Sequence, residues 1–459
     1  MTSTRLLTTT TLVTVVLAGG VVHAGTSEEP PATAAKKPRS PGSEEPHSNE
    51  VAGPLTTDVW REPRAPLELH WELLALPERA VELAFMPVAM LVTVVEHYRL
   101  DRRIHDLLRN DEGTIVVTPN AKLSLGDGFG AGASLRVKST EANEQQLRAS
   151  ALYRLNGDYE AGVDLRRNLI RAEGRQLELR FEHEVDRDMP YYGIGPETAV
   201  ADERVVRSDA LHGSVAYELQ PRGALDLTGW LSIGYRKERL SGGEELGVIP
   251  VGVAGDSVPP PPGFERWSDY VTARAHVGYD TRDVAGRPSR GWTAELEAAV
   301  TQEIDGQSLS AGAGSLTTTV LLPLLPERRV LSLSAGVRLS DRLSSGDEVP
   351  LHELTELGRD QHLRGYKRAR FRDRHGWWAT AEYGFPIYEY ANTGVALDAS
   401  LFVDVGHVAG GVTTLFEEPV RTSAGVGLRA AHEVLSIFRL DLAWSPEGVE
   451  FSFSLGRFD

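Results

Sequence analysis

Seven Lys or Arg residues lie among the eighteen residues of the stretch RDQHLRGYKRARFRDRHG, Arg359–Gly376. The chain as a whole is acidic, since 48 Lys and Arg residues against 65 Asp and Glu residues give a formal net charge of −17. Guanidinium groups bind carboxylates and phosphates strongly, because the planar Arg side chain can donate two parallel hydrogen bonds to one anion. The stretch is therefore predicted to form ion pairs with acidic groups, which are supplied either by the protein itself or by an external ligand.

Two carboxylates in the segments that follow are candidate partners for this basic stretch. The segment WWATAEYGFPI alternates apolar and polar residues, with Glu382 on its polar face, and in the next segment Phe402 and Asp404 share the polar face. Since successive side chains of a strand point to opposite faces, Glu382 and Asp404 are predicted to lie on one face of neighbouring strands. If the basic stretch folds inward, an Arg meets both carboxylates. If it stays in solvent, it offers a surface to lipopolysaccharide phosphates, and the spacing leaves both possibilities open.

The elements that must position these residues are strands. From about Glu112 to Phe458 the sequence forms about sixteen segments, each of about 10 to 16 residues, in which apolar and polar residues alternate. This pattern predicts strands with one apolar and one polar face. A tilted strand of ~10 residues crosses a bilayer, and only a closed barrel leaves no strand edge unpaired in lipid. Residues 111–459 are therefore predicted to form an all-β domain, a transmembrane antiparallel β-barrel of about sixteen strands.

The residues before the barrel predict export. A short basic start, an apolar run and a small-residue cleavage site indicate that residues 1–24 are a secretory signal peptide. Residues 25–65 are rich in Pro, Ser and Glu and are expected to be a disordered linker. Residues 66–110 are expected to be a helical periplasmic segment, and a Glu and a Pro within its apolar part favour a packed or amphipathic helix over a transmembrane one.

A soluble β-sandwich or β-propeller would also show alternating strands. The length of the segments, the many charges on their polar faces and the export signal favour the membrane barrel instead. The sequence therefore predicts a protein of the Gram-negative outer membrane, surrounded by outer-membrane lipids.

Five stretches of the chain form a recognisable set, and they are GYDTRDVAGRPSRGW, HLRGY, AEYGFPIY, LFVDVGHV and SAGVGLR. Their order resembles that in the BamA/TamA-type surface-antigen superfamily of outer-membrane barrels, and HLRGY resembles the Arg-Gly-aromatic signature of that family. The resemblance covers the chain from about Tyr279 to the C-terminus. One such stretch alone would be a weak signal, whereas five in sequence are specific.

The resemblance implies a sixteen-stranded barrel whose sixth external loop lies in the lumen. It also implies that the signature Arg contacts acidic residues of the barrel wall, with an aromatic ring packed nearby. The residues concerned are Leu363, Arg364, Gly365 and Tyr366 in the loop, and Glu382, Phe402, Asp404 and Gly406 on the wall.

Two further features of the resemblance have structural interpretations. The first is a turn between the eighth and ninth strands, for which Asp, Pro and Gly residues supply ordinary turn chemistry. The residues of this turn element are Asp280, Arg282, Asp283, Pro288 and Gly291. The second is Phe458, which resembles the terminal aromatic residue that the outer-membrane assembly machinery recognises, although Asp459 follows it here.

The resemblance implies a part in protein or lipid insertion or translocation at the outer membrane. Residues 25–110 show no pattern of the periplasmic POTRA modules that the best-known relatives carry, so the part that recruits clients is expected to be missing. A static pore or structural barrel with a plugged lumen is the alternative. An outer-membrane lipid-modifying enzyme is a more distant one.

Motifs and composition favour a protein that is not an enzyme. The chain has no Cys, and it contains no Gly-x-Ser-x-Gly, His-Glu-x-x-His or P-loop pattern. We therefore expect no catalytic site, no cofactor and no metal. The acidic composition argues against nucleic acid as a partner, and the expected partners are outer-membrane lipids and a polypeptide or lipid client.

Overall fold

A computed structural model describes most of the predicted barrel. The described residues are 110, 114–124, 128–139, 145–170, 174–219, 226–245, 247–284, 286–306, 308–325, 329–359, 362–389, 396–417, 419–431 and 436–455. They belong to one compact unit of the chain, which begins after Pro66. The predicted signal peptide, linker and helical segment lie outside the described residues apart from Asn110, and so does Phe458.

Sixteen strands of the described part of the chain form one antiparallel succession, as the alternating pattern predicts. Among the described residues, no helix has the length and hydropathy needed to span a bilayer. The strands are β1 (Ile115–Ser124), β2 (Gly128–Lys138), β3 (Gln145–Arg154), β4 (Tyr159–Ile170), β5 (Arg175–Tyr191), β6 (Arg204–Leu219), β7 (Leu227–Gly242), β8 (Trp267–Asp280), β9 (Gly291–Glu303), β10 (Ser310–Leu325), β11 (Arg329–Asp341), β12 (His375–Glu389), β13 (Ala396–Ala409), β14 (Arg421–Ala431), β15 (Ser436–Ser445) and β16 (Gly448–Leu455).

The strand pairings close on themselves. Each strand pairs with the next one along the chain, and β16 returns to pair with β1. We call this last pairing the seam. Among the described residues it joins three positions, Lys122 with Ser454, Leu123 with Phe453 and Ser124 with Ser452. The prediction of a sixteen-stranded antiparallel barrel is thereby confirmed, and within the described part of the chain the pairing that closes it is the shortest.

The apolar faces of the strands point away from the lumen and the polar faces toward it. In β7, Leu231 and Ile233 are 63% and 66% exposed on the outside, while Ser232 and Arg236 on the opposite face line a cavity inside the barrel. A soluble protein places its apolar side chains inside and its polar ones outside. The reverse placement found here is the one that an apolar belt facing lipid requires.

The two ends of the barrel differ in the length of their connections. The connections that follow odd-numbered strands include the long ones, 192–203, 243–266, 342–374 and 410–420, whereas most of those at the other end are short. Long loops mark the extracellular end of outer-membrane barrels, and short turns the periplasmic end. Short elements at the extracellular end are Ile249–Pro250, Thr355–Leu357 and Phe371–Asp373 as strands, and Val200–Asp202, Leu351–Glu353 and Val412–Thr414 as 3₁₀ turns.

The connection 342–374, which we call the lumenal loop, folds into the barrel and is packed there. The short strands Thr355–Leu357 and Phe371–Asp373 pair with each other within it. Leu363, Tyr366 and Trp378 belong to one buried apolar cluster, which joins this loop to β12 and β13. A second cluster joins Leu351 and Leu354 of the loop to β5, β6, β7 and β10. The loop is therefore part of the core.

We expect an Arg at position 233 to reveal the lipid-facing side of the barrel. Ile233→Arg puts a charge among acyl chains and should lower the free energy of unfolding by about 2–4 kcal/mol. The matched control is Ser232→Arg, whose side chain enters the lumenal cavity of about 590 Å³ and can stay hydrated. Reversible urea unfolding in phospholipid vesicles measures both. Equal losses for the two variants would contradict the orientation of β7.

Candidate functional site

Each of the seven Lys and Arg residues of the stretch Arg359–Gly376 forms an ion pair. Their acidic partners come from the barrel wall, from neighbouring loops and from the lumenal loop itself. The pairs are Arg359 with Glu450 (3.5 Å), Arg364 with Glu382 (2.8 Å) and Asp404 (2.7 Å), Lys367 with Glu203 (2.7 Å), Arg368 with Asp186 (2.8 Å), Arg370 with Glu447 (2.7 Å), Arg372 with Glu356 (2.8 Å), and Arg374 with Asp341 (2.8 Å). The positive charge of this stretch is therefore neutralised by the protein.

Arg364 is the centre of this arrangement. Its Nε and Nη2 donate to Oδ2 and Oδ1 of Asp404 at 3.0 and 2.7 Å, while Nη1 donates to Oε2 of Glu382 at 2.8 Å. The guanidinium carbon lies 3.3 Å from the centroid of the Phe402 ring. Planar stacking and a two-pronged carboxylate bond are interactions that Arg makes and Lys cannot reproduce.

The wall positions these partners through strand register. Glu382 of β12 is opposite Phe402 of β13, and Phe402 is opposite Gly425 of β14. A Cβ on Gly425 would lie 2.4 Å from the Phe402 ring, so the glycine leaves the space that the ring occupies. The three residues form one row across the lumenal wall, on which the guanidinium rests.

The neighbouring row explains why Asp404 can be fully buried. Asp404 is 0% exposed, and it accepts hydrogen bonds from Thr380 of β12 at 3.0 Å and from Ser423 of β14 at 3.2 Å. The backbone N–H of Arg364 donates to it as well, at 3.2 Å. A buried carboxylate is tolerated only when its charge is paired and its oxygens accept hydrogen bonds, and both conditions are met here.

The rest of the loop signature fits the same wall closely. Leu363 is 0% exposed, and the Tyr366 hydroxyl donates to the backbone oxygen of Thr422 at 3.1 Å. A Cβ on Gly365 would lie 2.7 Å from Ser423, and one on Gly406 would lie 3.0 Å from a backbone oxygen of β12. Glycine at these two positions lets the loop approach the wall.

A second anchor, which the sequence analysis did not identify, holds the opposite side of the loop. Glu353 is 0% exposed; its Oε1 accepts from Arg274 of β8 at 2.9 Å and from Thr301 of β9 at 2.7 Å, and its Oε2 accepts from Arg338 of β11 at 2.8 Å. The signal was present, because Arg274 and Arg338 both stand on polar faces of their strands. Glu353 thus fixes the loop to β8, β9 and β11, next to the β12–β13 site of Arg364.

The turn between β8 and β9 has the expected turn chemistry. Asp283 accepts hydrogen bonds from the backbone N–H and the hydroxyl of Ser289 at 2.9 and 2.5 Å, and these bonds help lower its pKa against the opposing effect of burial. Arg282 pairs with Asp280 at 2.6 Å. Gly291 has a φ of 110°, which favours glycine.

The same turn carries a contact that turn chemistry does not explain. Arg287, 8% exposed, donates from Nε and Nη2 to Asp398 of β13 at 2.8 and 2.6 Å and from Nη1 to Glu389 at 2.6 Å. The turn therefore reaches across the periplasmic end of the lumen. A cavity of about 250 Å³ lies between this contact and the Arg364 site, lined by Arg287, Pro288, Glu382 and Arg439 among others.

Comparison with known proteins identifies the family and the fold. The model of the Omp85 superfamily domain matches residues 128–458. No curated protein sequence matches the chain. Among solved structures, BamA from Haemophilus ducreyi lacking POTRA domains 1–3 is 14% identical, with a TM-score of 0.54, over 75% of this chain and 70% of that one.

Two CdiB structures are also similar, although they match less closely. CdiB from Acinetobacter baumannii is 10% identical over 74% of this chain, with a TM-score of 0.44, and CdiB from Escherichia coli is 11% identical over 74%, with a TM-score of 0.46. This chain covers 59% and 63% of their lengths, respectively. The likeness to the BamA structure supports the barrel fold.

We predict that Arg364→Ala is strongly destabilising. It leaves the fully buried Asp404 without a cation, whereas Glu382 keeps its ion pair with Arg439 at 2.9 Å. The uncompensated Asp404 charge should lower the free energy of unfolding by about 3–5 kcal/mol. The measurement is the temperature at which the folded barrel loses its faster gel mobility. The control Lys367→Ala removes a loop cation that is 47% exposed and should cost less than about 1 kcal/mol. Equal stability of the two variants would show that the buried pair is not the main anchor.

We also predict that acid weakens the loop through His362. The ring stacks on Trp378 with centroids 4.2 Å apart, and burial lowers the pKa of His362 to about 4. The unfolded chain takes up this proton near pH 6.5, so the stabilisation is complete above that pH and is lost as the pH falls toward 4. His362→Gln should flatten this part of the curve of unfolding free energy against pH. Parallel curves for the two proteins would be the contrary result.

Proposed function

This chain belongs to the Omp85 superfamily, and we propose that it works as an outer-membrane β-barrel that inserts or translocates a polypeptide or lipid client by opening at the seam. Members of this superfamily act on polypeptide clients at the outer membrane. The client of this chain, the lateral opening and the absence of an enzymatic step are parts of the proposal.

The observation that carries the proposal is the shortness of the seam. Counted over the described residues, β1 and β16 are joined at three positions, whereas β14 with β15 and β15 with β16, the shortest of the other barrel pairings, are each joined at eight. Within lipid no water replaces a broken interstrand hydrogen bond, so each unpaired backbone group costs several kcal/mol. Opening at the seam exposes the fewest such groups, which makes it the weakest place in the wall.

The lumenal loop holds one side of this seam. Arg359 pairs with Glu450 of β16 at 3.5 Å, and Arg370 pairs with Glu447 in the turn before β16 at 2.7 Å. These contacts tie the last hairpin to the packed interior. We therefore propose that β1 is the strand that moves away when the seam opens, while β16 stays attached and presents its free edge to the client.

A static barrel with a plugged lumen is the second candidate. It is favoured by the anchoring of the loop at two places on the wall, through Arg364 to Asp404 and through Glu353 to Arg274 and Arg338. A loop held in this way blocks a central pore. The two candidates differ in one property that can be measured, because a static barrel does not need the seam to open and a lateral gate does.

Locking the seam with a disulfide should abolish insertion. Leu123 and Phe453 are register partners, and the chain has no Cys of its own, so Leu123→Cys with Phe453→Cys forms a single defined cross-link. In liposomes containing the protein we expect faster folding of a urea-denatured small outer-membrane barrel. The oxidised variant should lose this acceleration, and reduction should restore it.

The control cross-link joins a pairing that the proposal leaves intact. Leu333 of β11 and Ala381 of β12 are register partners, and Leu333→Cys with Ala381→Cys should leave activity unchanged in both redox states. An oxidised seam variant as active as its reduced form would refute lateral opening. A wild-type protein that gives no acceleration would favour the static barrel.

A further inference from the structure

Three carboxylates come together at the extracellular end of the barrel, away from Arg364. Asp158 lies in the turn between β3 and β4, and Asp186 and Asp188 lie near the end of β5. They are only 1%, 6% and 8% exposed. One possible ligand oxygen of each lies within 4.8 Å of those of the other two. Oxygens bound to one Ca²⁺ at about 2.4 Å can be at most about 5 Å apart, so the three can share an ion.

Two oxygens of this group accept no hydrogen bond from the part of the chain that the structure describes. They are Oδ1 of Asp186 and Oδ1 of Asp188, and both are inaccessible to solvent. A buried carboxylate oxygen without a donor is costly, and such groups in native proteins call for an ion or another partner. A carboxylate oxygen is satisfied by a hydrogen-bond donor or by a cation, and a divalent cation can satisfy both of these oxygens at once.

The groups that do contact the cluster leave it negatively charged. Arg154 lies 3.3 Å from Asp158, and Arg368 lies 2.8 Å from Asp186. Asn156 donates from Nδ2 to Asp158 at 2.8 Å and to Asp188 at 2.6 Å, but it carries no charge. Two guanidinium groups thus face three carboxylates, and one formal negative charge remains.

The geometry points to a calcium site, and we propose that Asp158, Asp186 and Asp188 bind one Ca²⁺. Carboxylate oxygens suit hard cations, and Ca²⁺ accepts irregular sets of such ligands from a turn and a strand. Mg²⁺ demands a near-octahedral shell and dehydrates reluctantly, which a site enclosed by protein groups does not favour. This proposal does not depend on the proposed function.

A bound Ca²⁺ would connect the wall to the lumenal loop. Asp186 accepts from Arg368 of that loop through Oδ2 at 2.8 Å, and Asp158 accepts from the backbone N–H of Arg187 through Oδ1 at 2.7 Å. The ion would therefore hold the β3–β4 turn, the end of β5 and the loop as one unit. Removal of Ca²⁺ should loosen the extracellular mouth while leaving the Arg364 contacts in place.

Calcium binding to the full-length protein, refolded into a non-ionic detergent free of lipopolysaccharide, tests the proposal. Isothermal titration with CaCl₂ alone should show one ion per chain, with a dissociation constant of about 0.1–1 mM, as in extracellular modules. Ca²⁺ should also raise the unfolding temperature, because it binds the folded state. Asp188→Asn and Asp186→Asn should each weaken binding by about tenfold or more.

The control variant is Asp164→Asn. It removes one carboxylate from β4, where Asp164 pairs with Arg180 at 2.8 Å, and it should leave Ca²⁺ affinity within about twofold of wild type. Absence of saturable binding up to about 10 mM would overturn the proposal, as would equal affinities of wild type and Asp188→Asn. Equal competition by Mg²⁺ would overturn the assignment to Ca²⁺.

Discussion

The burial of the Asp404 carboxylate is the constraint on which the interior of this barrel depends. Asp404 is 0% exposed on the lumenal face of β13, and a buried charge without a partner is strongly destabilising. Only a cation that reaches the middle of the wall can pair with this carboxylate. Arg364 reaches it from a loop that begins at the extracellular end. The inward course of the lumenal loop, its glycines and its apolar packing follow from that one requirement.

The part of this arrangement that strand periodicity determines could be predicted from the sequence. Glu382 and Asp404 were assigned to one face because a period of two leaves no other choice, and the number of strands followed from counting alternating segments. The contacts of Glu353 and Arg287 were not foreseen. Both residues lie in loops between strands. The path of a loop depends on its tertiary contacts and not on a local sequence repeat. Their partners on the strands, such as Arg274 and Asp398, were readable as lumenal, but nothing local indicated which loop each would bind.

Alternation also does not reveal how strongly neighbouring strands pair. β1 and β16 both have ordinary strand patterns, yet within the described part of the chain they are joined at three positions. The extent of a pairing depends on the relative stagger of two strands, and in a closed barrel the stagger of all the strands must be consistent. The first and last strands are the only neighbours that no turn connects, so their overlap is fixed by this closure and not by a local sequence signal.

A packed lumen and an opening wall are compatible in this molecule because no ion pair of the lumenal loop among the described residues bridges the seam between β1 and β16. The ion pairs of the lumenal loop that reach the wall end on β5, β7, β8, β11, β12, β13 and β16. Each of these pairs has partners on the loop and on one strand, so separation of β1 from β16 breaks none of them. The interior can thus remain neutralised if the seam opens, and the free energy of opening would be set by the seam pairing, which joins three positions among the described residues, and by the lipid around it. This separation is what a lateral gate requires, and a central pore through the same barrel would have to break the buried pairs first.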